Sequence, residues 1–291
     1  TIAAGLVIQY LQETQRGSLD QLISLSTYTV GDYMVLDAAA RRNLELTETI
    51  RSGQVRGSLL GVLDRTNTPM GGRLLRQWIT RPLLDLEQLE QRLDMVEALV
   101  EDGTLRASVR ETLRDVGDLE RLTNRVIGGT AGPRELISLR ETLEHVPAIQ
   151  TMLLNQGDAL ARLAYELNPV EDVVDLIAAA LVDDPPATLN TSGVIRPGFS
   201  PELDAIVNAN TDVTKSHADL VPGDYVRKQT LVNAERYITP ELKEVEVRLL
   251  SAEEEISSLE TRLFRQVLRD VAAHSEALLA TARALAWLDV F

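Results

Sequence analysis

The residues able to do chemistry in this chain are basic ones, and they fall into two groups. Arg65, Arg73, Arg76 and Arg81 occupy the stretch from Arg65 to Leu84, which holds no acidic residue. Guanidinium forks at this density suit phosphate oxygens or the carboxylates of an acidic partner domain. Simple solvation is a third use, and ion pairs to neighbouring helices are a plainer reading than any of these. The second group is Lys215, His217, Arg227, Lys228 and Arg236, with the hydroxyls of Ser216 and Tyr225 close by. Such side chains can hold DNA phosphates without reading sequence. Lys215, Ser216, His217, Arg227 and Lys228 are therefore the candidate contacts to a DNA backbone.

Catalytic chemistry finds no foothold. No Gly-x-x-x-x-Gly-Lys-Ser/Thr is present, so the phosphate-cradling loop of an ATPase is missing. Gly71-Gly72-Arg73 lacks the lysine and follows a helix cap, not a strand; its glycines read as permission for close helix approach. His145, His217 and His274 stand apart, with no i,i+4 pair for a metal and no Gly-x-Ser-x-Gly elbow. His274, three residues after Val271 on one stripe, reads as a packed or half-buried histidine. The absence of cysteine removes thiolate nucleophiles, disulfides and Cys-based metal sites. No catalytic, cofactor-binding or metal-binding residue is assigned.

Those basic groups sit in an acidic chain. Its 291 residues carry a formal charge of -15, which argues against a surface that coats DNA; contacts to nucleic acid must be local. From Asp158 to Asp212 ten acids face only Arg162 and Arg196. An aromatic content of 4% with abundant Leu, Ala, Glu and Arg favours helices. The longest apolar runs, such as Leu176 to Val182, fall far short of the roughly 20 residues of a membrane span, and no signal peptide opens the chain. The expectation is a cytoplasmic, mainly α protein of two subdomains or one elongated helical body.

The elements that position these residues follow from caps and periodicity. Ile2 to Leu11 reads as an apolar helix without a cap ahead of it, as though continued from a longer chain. Ser26 to Val30 reads as extended and Asp37 to Arg42 as a short helix. Thr68 with Pro69 starts a helix that Pro82 ends. Asp85 and Gln88 resemble a capping box, followed by Leu86, Leu89, Leu93, Val96 and Val100 at 3-4 spacing. Further helices are expected at Thr104 to Val116, Leu119 to Ile127, Arg134 to Leu154 and Asp158 to Leu167. Pro185-Pro186, Gly193 and Pro197-Gly198 make Asp183 to Ser200 the expected internal boundary. Thr239, Pro240 and Glu241 open a last helix that nothing breaks before the end, about 75 Å over some 50 residues. Leu242, Val245, Leu249, Ala252, Ile256, Leu259 and Leu263 form its seam.

The segment from Asp64 to Leu84, DRTNTPMGGRLLRQWITRPLL, closely resembles the opening of the core domain of MutS proteins, and Gln91 to Glu97 continues the likeness. Arg227 to Glu244, RKQTLVNAERYITPELKE, is similar to the MutS lever helix that returns from the clamp. Asp118 to Leu122 and Asp37 to Leu44 agree more weakly, in the expected order. The resemblance implies a core and lever fragment with most of the β-rich clamp missing, since Glu202 to Asn210 runs almost directly into Val213 to His217. Whether that clamp is deleted or the sequence joins two sides of an absent stretch stays open.

The implied organisation is core and ascending lever over 1-200, a truncated clamp junction over 201-222, and a returning lever helix over 223-291, long and antiparallel to the first. The implied function is mechanical coupling between a DNA-embracing clamp and an ATPase in mismatch repair. The fragment itself would be no enzyme and hold no cofactor. ATP and Mg belong to the ATPase domain of the family, and a homodimer, mismatched double-stranded DNA and a MutL-type protein are its implied partners. Three rivals remain: an interaction scaffold unrelated to repair, a recombination-suppressing MutS paralogue, and a free-standing enzyme. The scaffold explains the heptads but not the two specific blocks, the Arg227 to Glu244 block fits the repair branch better than the paralogue, and the enzyme lacks a catalytic constellation.

Overall fold

In the computed structural model, residues 2–14, 30–189, 191–215, 226–231, 234–238 and 240–291 are described. Among them the chain is mainly α-helical. Its helices are α1 (Ile2–Thr14), α2 (Ala38–Asn43), α3 (Leu59–Leu63), α4 (Pro69–Thr80), α5 (Leu86–Glu101), α6 (Gly103–Leu113) and α7 (Leu119–Ile127). There follow α8 (Pro133–Glu144), α9 (Val146–Leu154), α10 (Gly157–Glu166), α11 (Glu171–Ala180) and α12 (Pro201–Lys215). An antiparallel hairpin of β1 (Val226–Leu231) and β2 (Ala234–Ile238) precedes α13 (Pro240–Ala272) and α14 (Ser275–Val290).

Side-chain caps start most of the early helices. Asp37, Ser58, Thr68, Asp85, Asp102 and Asp118 each accept a backbone N–H from the first turn of α2 to α7, satisfying donors that a helix leaves unpaired. The expected starts at Pro69 and Leu86 are therefore found with their expected caps. Gln88 also donates its side-chain N–H to Asp85 Oδ2 at 3.0 Å, within the capping turn.

The chain forms two compact units. The first comprises Thr1–Ala131, Glu135–Asp175 and Leu268–Phe291, and the second Gly132–Arg134 and Leu176–Val267. In the first, α14 packs on α4, α7 and α10, and α10 on α9 and α5. Leu139, Leu143, Ile149, Leu160, Leu278 and Leu285 are fully buried there. Each such leucine or isoleucine contributes about 1.5–3 kcal/mol relative to exposure. In the second unit Ile177, Leu181, Val194 and Phe264 are buried, and Leu181 bridges Ile195 antiparallel.

Several expectations are corrected. The last 50 residues are not one helix: α13 ends at Ala272, and α14 begins after His274, whose ring Nδ1 lies 3.1 Å from the Asp270 carbonyl oxygen. The histidine is half-buried, but on the break, not on a continuous stripe. Within 223–291, residues 226–231 and 234–238 form the hairpin, with Val226 opposite Ile238; the β-branched and aromatic residues of these stretches favour strand over helix. Arg134 to Leu154 is two helices, α8 and α9, divided at His145 with Pro147 in the first turn of α9. Helices α3 and α11 were not expected at all.

Asp183 to Ser200 is not a boundary between units, for it lies inside the second. Arg196 holds it through the Leu181 carbonyl and Asp183, both at 2.9 Å, and Arg134 donates to the Pro185 carbonyl at 3.0 Å. Proline and glycine mark turns there, and burial decides that the turns are packed. The periodic face of α5 is also exposed, not core: Leu86 is 74%, Leu93 66% and Val100 65% accessible, while Leu99 on another face is buried. Ser26 to Val30 lies outside the described residues except for Val30, which opens a short 3-10 turn to Asp32.

Candidate functional site

The most densely constrained site joins α4 to α14. The Asp289 carboxylate, inside the apolar run Leu285 to Val290, is buried and accepts four hydrogen bonds. Oδ1 takes the Asn67 backbone N–H at 2.8 Å and its side-chain amide at 3.2 Å; Oδ2 takes the Thr68 N–H and hydroxyl, each at 2.7 Å. The Thr68 hydroxyl oxygen in turn accepts the Gly71 N–H at 3.0 Å. The end of α14 thus clamps the start of α4. Gly71 is required there, since a Cβ would overlap the Asp289 carboxylate. The reading of Gly71-Gly72 as a close-approach device holds at Gly71.

Arg73, one turn further along α4, reaches α7. Its guanidinium meets Asp118 in a bidentate pair, both contacts 2.8 Å, and also bonds Glu120. The Asp118 hydrogen bonds are the main cause that raises the guanidinium further above its ordinary value. The same pair holds the Asp118 carboxyl below the usual carboxylate range. One member of the first basic group is therefore an interhelical ion pair. Arg65 accepts a hydrogen bond at its backbone carbonyl from Arg110, and donates from its guanidinium to the Asp64 carbonyl, both at 3.1 Å. Arg76 and Arg81 are exposed.

Beside this joint lies an aromatic cluster. Trp78 of α4 meets Trp287 of α14 edge-on at 5.1 Å between ring centres, and Phe291 packs on both. The Arg92 guanidinium of α5 stacks over Trp78 at 3.5 Å. Burial pushes that guanidinium below its ordinary value. Sequence reasoning missed Asp289 and Arg92. A lone acid inside the apolar run of α14 was the available signal for the first.

In the second unit the buried Glu260 of α13 plays a similar part. Its carboxylate accepts the backbone N–H groups of Gly193 at 3.0 Å, Val194 at 3.2 Å and Ile195 at 3.4 Å. Gly193 has φ +98°, a left-handed conformation that favours glycine and helps three successive amides converge on one carboxylate. Arg262, two residues on, pairs with Glu202 of α12 at 2.9 Å. Of the expected seam on α13, Ile256 and Leu259 are buried and Leu263 is half-buried; Leu242, Val245 and Leu249 have no described side chains.

The candidate DNA contacts are less defined. Lys215 is the last residue of α12. Arg227 and Lys228 are in β1, Arg227 opposite Tyr237, and the pairing shifts register between Arg227 and Gln229, at Lys228. Ser216 and His217 lie outside the described residues, as does Tyr225. Among the described residues no cluster of His, Asp and Glu could hold a metal ion, and no helix is long and apolar enough to cross a membrane.

Comparison with known proteins decides the family. The profile of MutS domain III matches residues 39–291. The chain belongs to the MutS domain III family. It is 41% identical to the DNA mismatch repair protein MutS of Salinibacter ruber over 325 aligned positions, which cover 100% of this chain and 36% of that protein. The MutS proteins of Acetivibrio thermocellus and Symbiobacterium thermophilum are each 42% identical, over 99% of this chain and 37% of theirs. The chain thus spans little more than a third of the length of these relatives. It corresponds to the core and lever segment of MutS, a non-catalytic part; the likeness that began with the Asp64 and Arg227 blocks extends over nearly the whole chain.

Proposed function

We propose that this MutS segment is the mechanical link between a DNA-holding clamp and an ATPase in DNA mismatch repair. The observation that carries the reading is α13, an uninterrupted helix of 33 residues, about 50 Å long, that contributes to both compact units. Ile256, Leu259, Phe264, Val267, Leu268 and Val271 bury one side of it. A helix packed in this way moves as a body, whereas a loop would absorb the displacement. After the short break at His274, the Asp289 clamp fastens α14 to the core through α4. The domain arrangement proposed is core and ascending lever to residue 200, clamp junction over 201–222, and beyond it the hairpin of β1 and β2 followed by the returning lever from α13.

In this reading Lys215, Ser216, His217, Arg227 and Lys228 touch DNA phosphates at the edge of a shortened clamp. The Salinibacter alignment, 325 positions for a chain of 291 residues, means that this relative holds residues with no counterpart here, as a shortened clamp requires. The full-length protein would act in the cytoplasm as a homodimer on mismatched double-stranded DNA, with a MutL-type partner and with ATP and Mg in its ATPase domain. The test is a chimera in which this segment replaces its counterpart in Salinibacter ruber MutS, with and without a Gly-Gly insertion at the exposed Glu253 to Glu255. The insertion is expected to preserve DNA binding and ATP hydrolysis measured separately, and to abolish the change in ATP hydrolysis on adding mismatched duplex. Retained stimulation would remove α13 from the transmission path.

A further inference from the structure

The first unit holds a cavity of about 610 Å3 bounded by α4, α5, α7 and α14, which the coupling role leaves without a use. Its volume is that of a ligand site. Arg73, Arg81, Arg92 and Arg283 line it against a single acid, Glu120, which is already bonded to Arg73. Among the described residues Arg81, Arg92 and Arg283 have no carboxylate partner. The Arg92 Nε is buried without a hydrogen bond, and burial, opposed only by Tyr33 and by no carboxylate, disfavours its charged form. The half-buried Arg92 and the exposed Arg81 and Arg283 thus concentrate positive charge in one recess of a chain whose net charge is -15.

We propose that this cavity receives the carboxylate side chains of an acidic peptide segment, contributed by the part of full-length MutS outside the segment described here. Guanidinium groups bind carboxylates through charge-assisted hydrogen bonds, and the Trp78 and Trp287 rings accept the methylene stem of a glutamate. A DNA duplex fits poorly, because its phosphates recur along a surface too long for such a recess and the surrounding chain repels a polyanion. The source is argued from the relatives: more than half of each full-length relative lies outside the matched segment, which leaves ample chain to supply an acidic stretch. This proposal stands apart from the coupling role, and either can fail alone.

The chain has two tryptophans, Trp78 and Trp287, and both line the cavity, so intrinsic fluorescence reports on it selectively. Titration at low salt with acetylated hexaglutamate amide is expected to give a saturable emission change, and hexaglutamine amide none. The double variant R81Q/R283Q is expected to bind about tenfold or more weakly. R76Q, on α4 but outside the cavity, is expected to bind as the parent does. Circular dichroism checks that R81Q/R283Q folds, and R81K/R283K is expected to recover part of the affinity. Absence of saturation, equal binding by R81Q/R283Q, or a response to inorganic phosphate alone overturns the proposal. In the Salinibacter chimera fluorescein-labelled hexaglutamate is expected to lose its site to the resident segment; binding as tight as to the isolated chain overturns the proposed source.

Discussion

Asp289 shows how one side chain can decide a joint. It is the only acid in the apolar run of α14, and it satisfies two backbone donors ahead of α4, besides the Asn67 amide and the Thr68 hydroxyl. Asp289→Ala would leave the buried Thr68 donors and the half-buried Asn67 donors unpaired, and is expected to lower the unfolding free energy by about 2–4 kcal/mol in urea denaturation. A loss under about 0.5 kcal/mol, the usual range of a neutral surface change, would mean the carboxylate is not the clamp. Asp118 carries a pH signature. Arg73 holds its carboxyl low in the folded chain, so near pH 4 the folded state binds fewer protons than the unfolded one. The stabilisation is present above the ordinary aspartate value and is lost as pH falls through the lower folded value. Denaturation midpoints should therefore decline more steeply below about pH 4 in the parent than in Asp118→Asn.

Among the elements, α5 is the clearest case of a helix whose period was legible and whose face was not. Its caps and 3-4 spacing predict the helix, yet the stripe of Leu86, Leu93 and Val100 is exposed. Leu93→Gln is expected to change stability by less than about 0.5 kcal/mol, and Leu99→Ala to cost about 2–4 kcal/mol. Thermal or urea unfolding of the two variants checks the contrast, and equal losses would place the stripe in the core. On α13, Glu260 organises a loop from the helix side. Glu260→Gln weakens the charge-assisted bonds to three amides, so hydrogen exchange at Gly193, Val194 and Ile195 should rise while the amides of α14 stay protected. Unchanged protection at 193–195 would show that other contacts hold the loop.

At the scale of the whole molecule, the chain combines an acidic body with localised basic groups, one of which is partly consumed by packing. The proposed DNA contacts at Lys215, Arg227 and Lys228 would release few counterions. A slope of log affinity against log salt of about -3 is therefore expected for duplex binding. R227Q/K228Q should bring it toward about -1, and a slope of about -8 or steeper would require a broad basic surface, which a net charge of -15 argues against. Such binding should be weak and indifferent to mismatches, measured by fluorescence anisotropy with matched and mismatched duplexes.

Local chemistry made much of this protein legible in its sequence. Thr68-Pro69 and Asp85 start helices because a short polar side chain satisfies their first N–H groups, a relation confined to neighbouring residues. The blocks at Asp64 and Arg227 were enough to suggest the family. Tertiary structure decided what lies far apart in the chain: Asp289 meets Thr68, and Glu260 meets Gly193, only after folding brings them together. It also decided that Arg73 is paired while Arg81 faces a cavity, although the two are equivalent as residue types. Periodicity fixes which residues share a face of a helix; only the neighbouring helices determine whether that face meets protein or water.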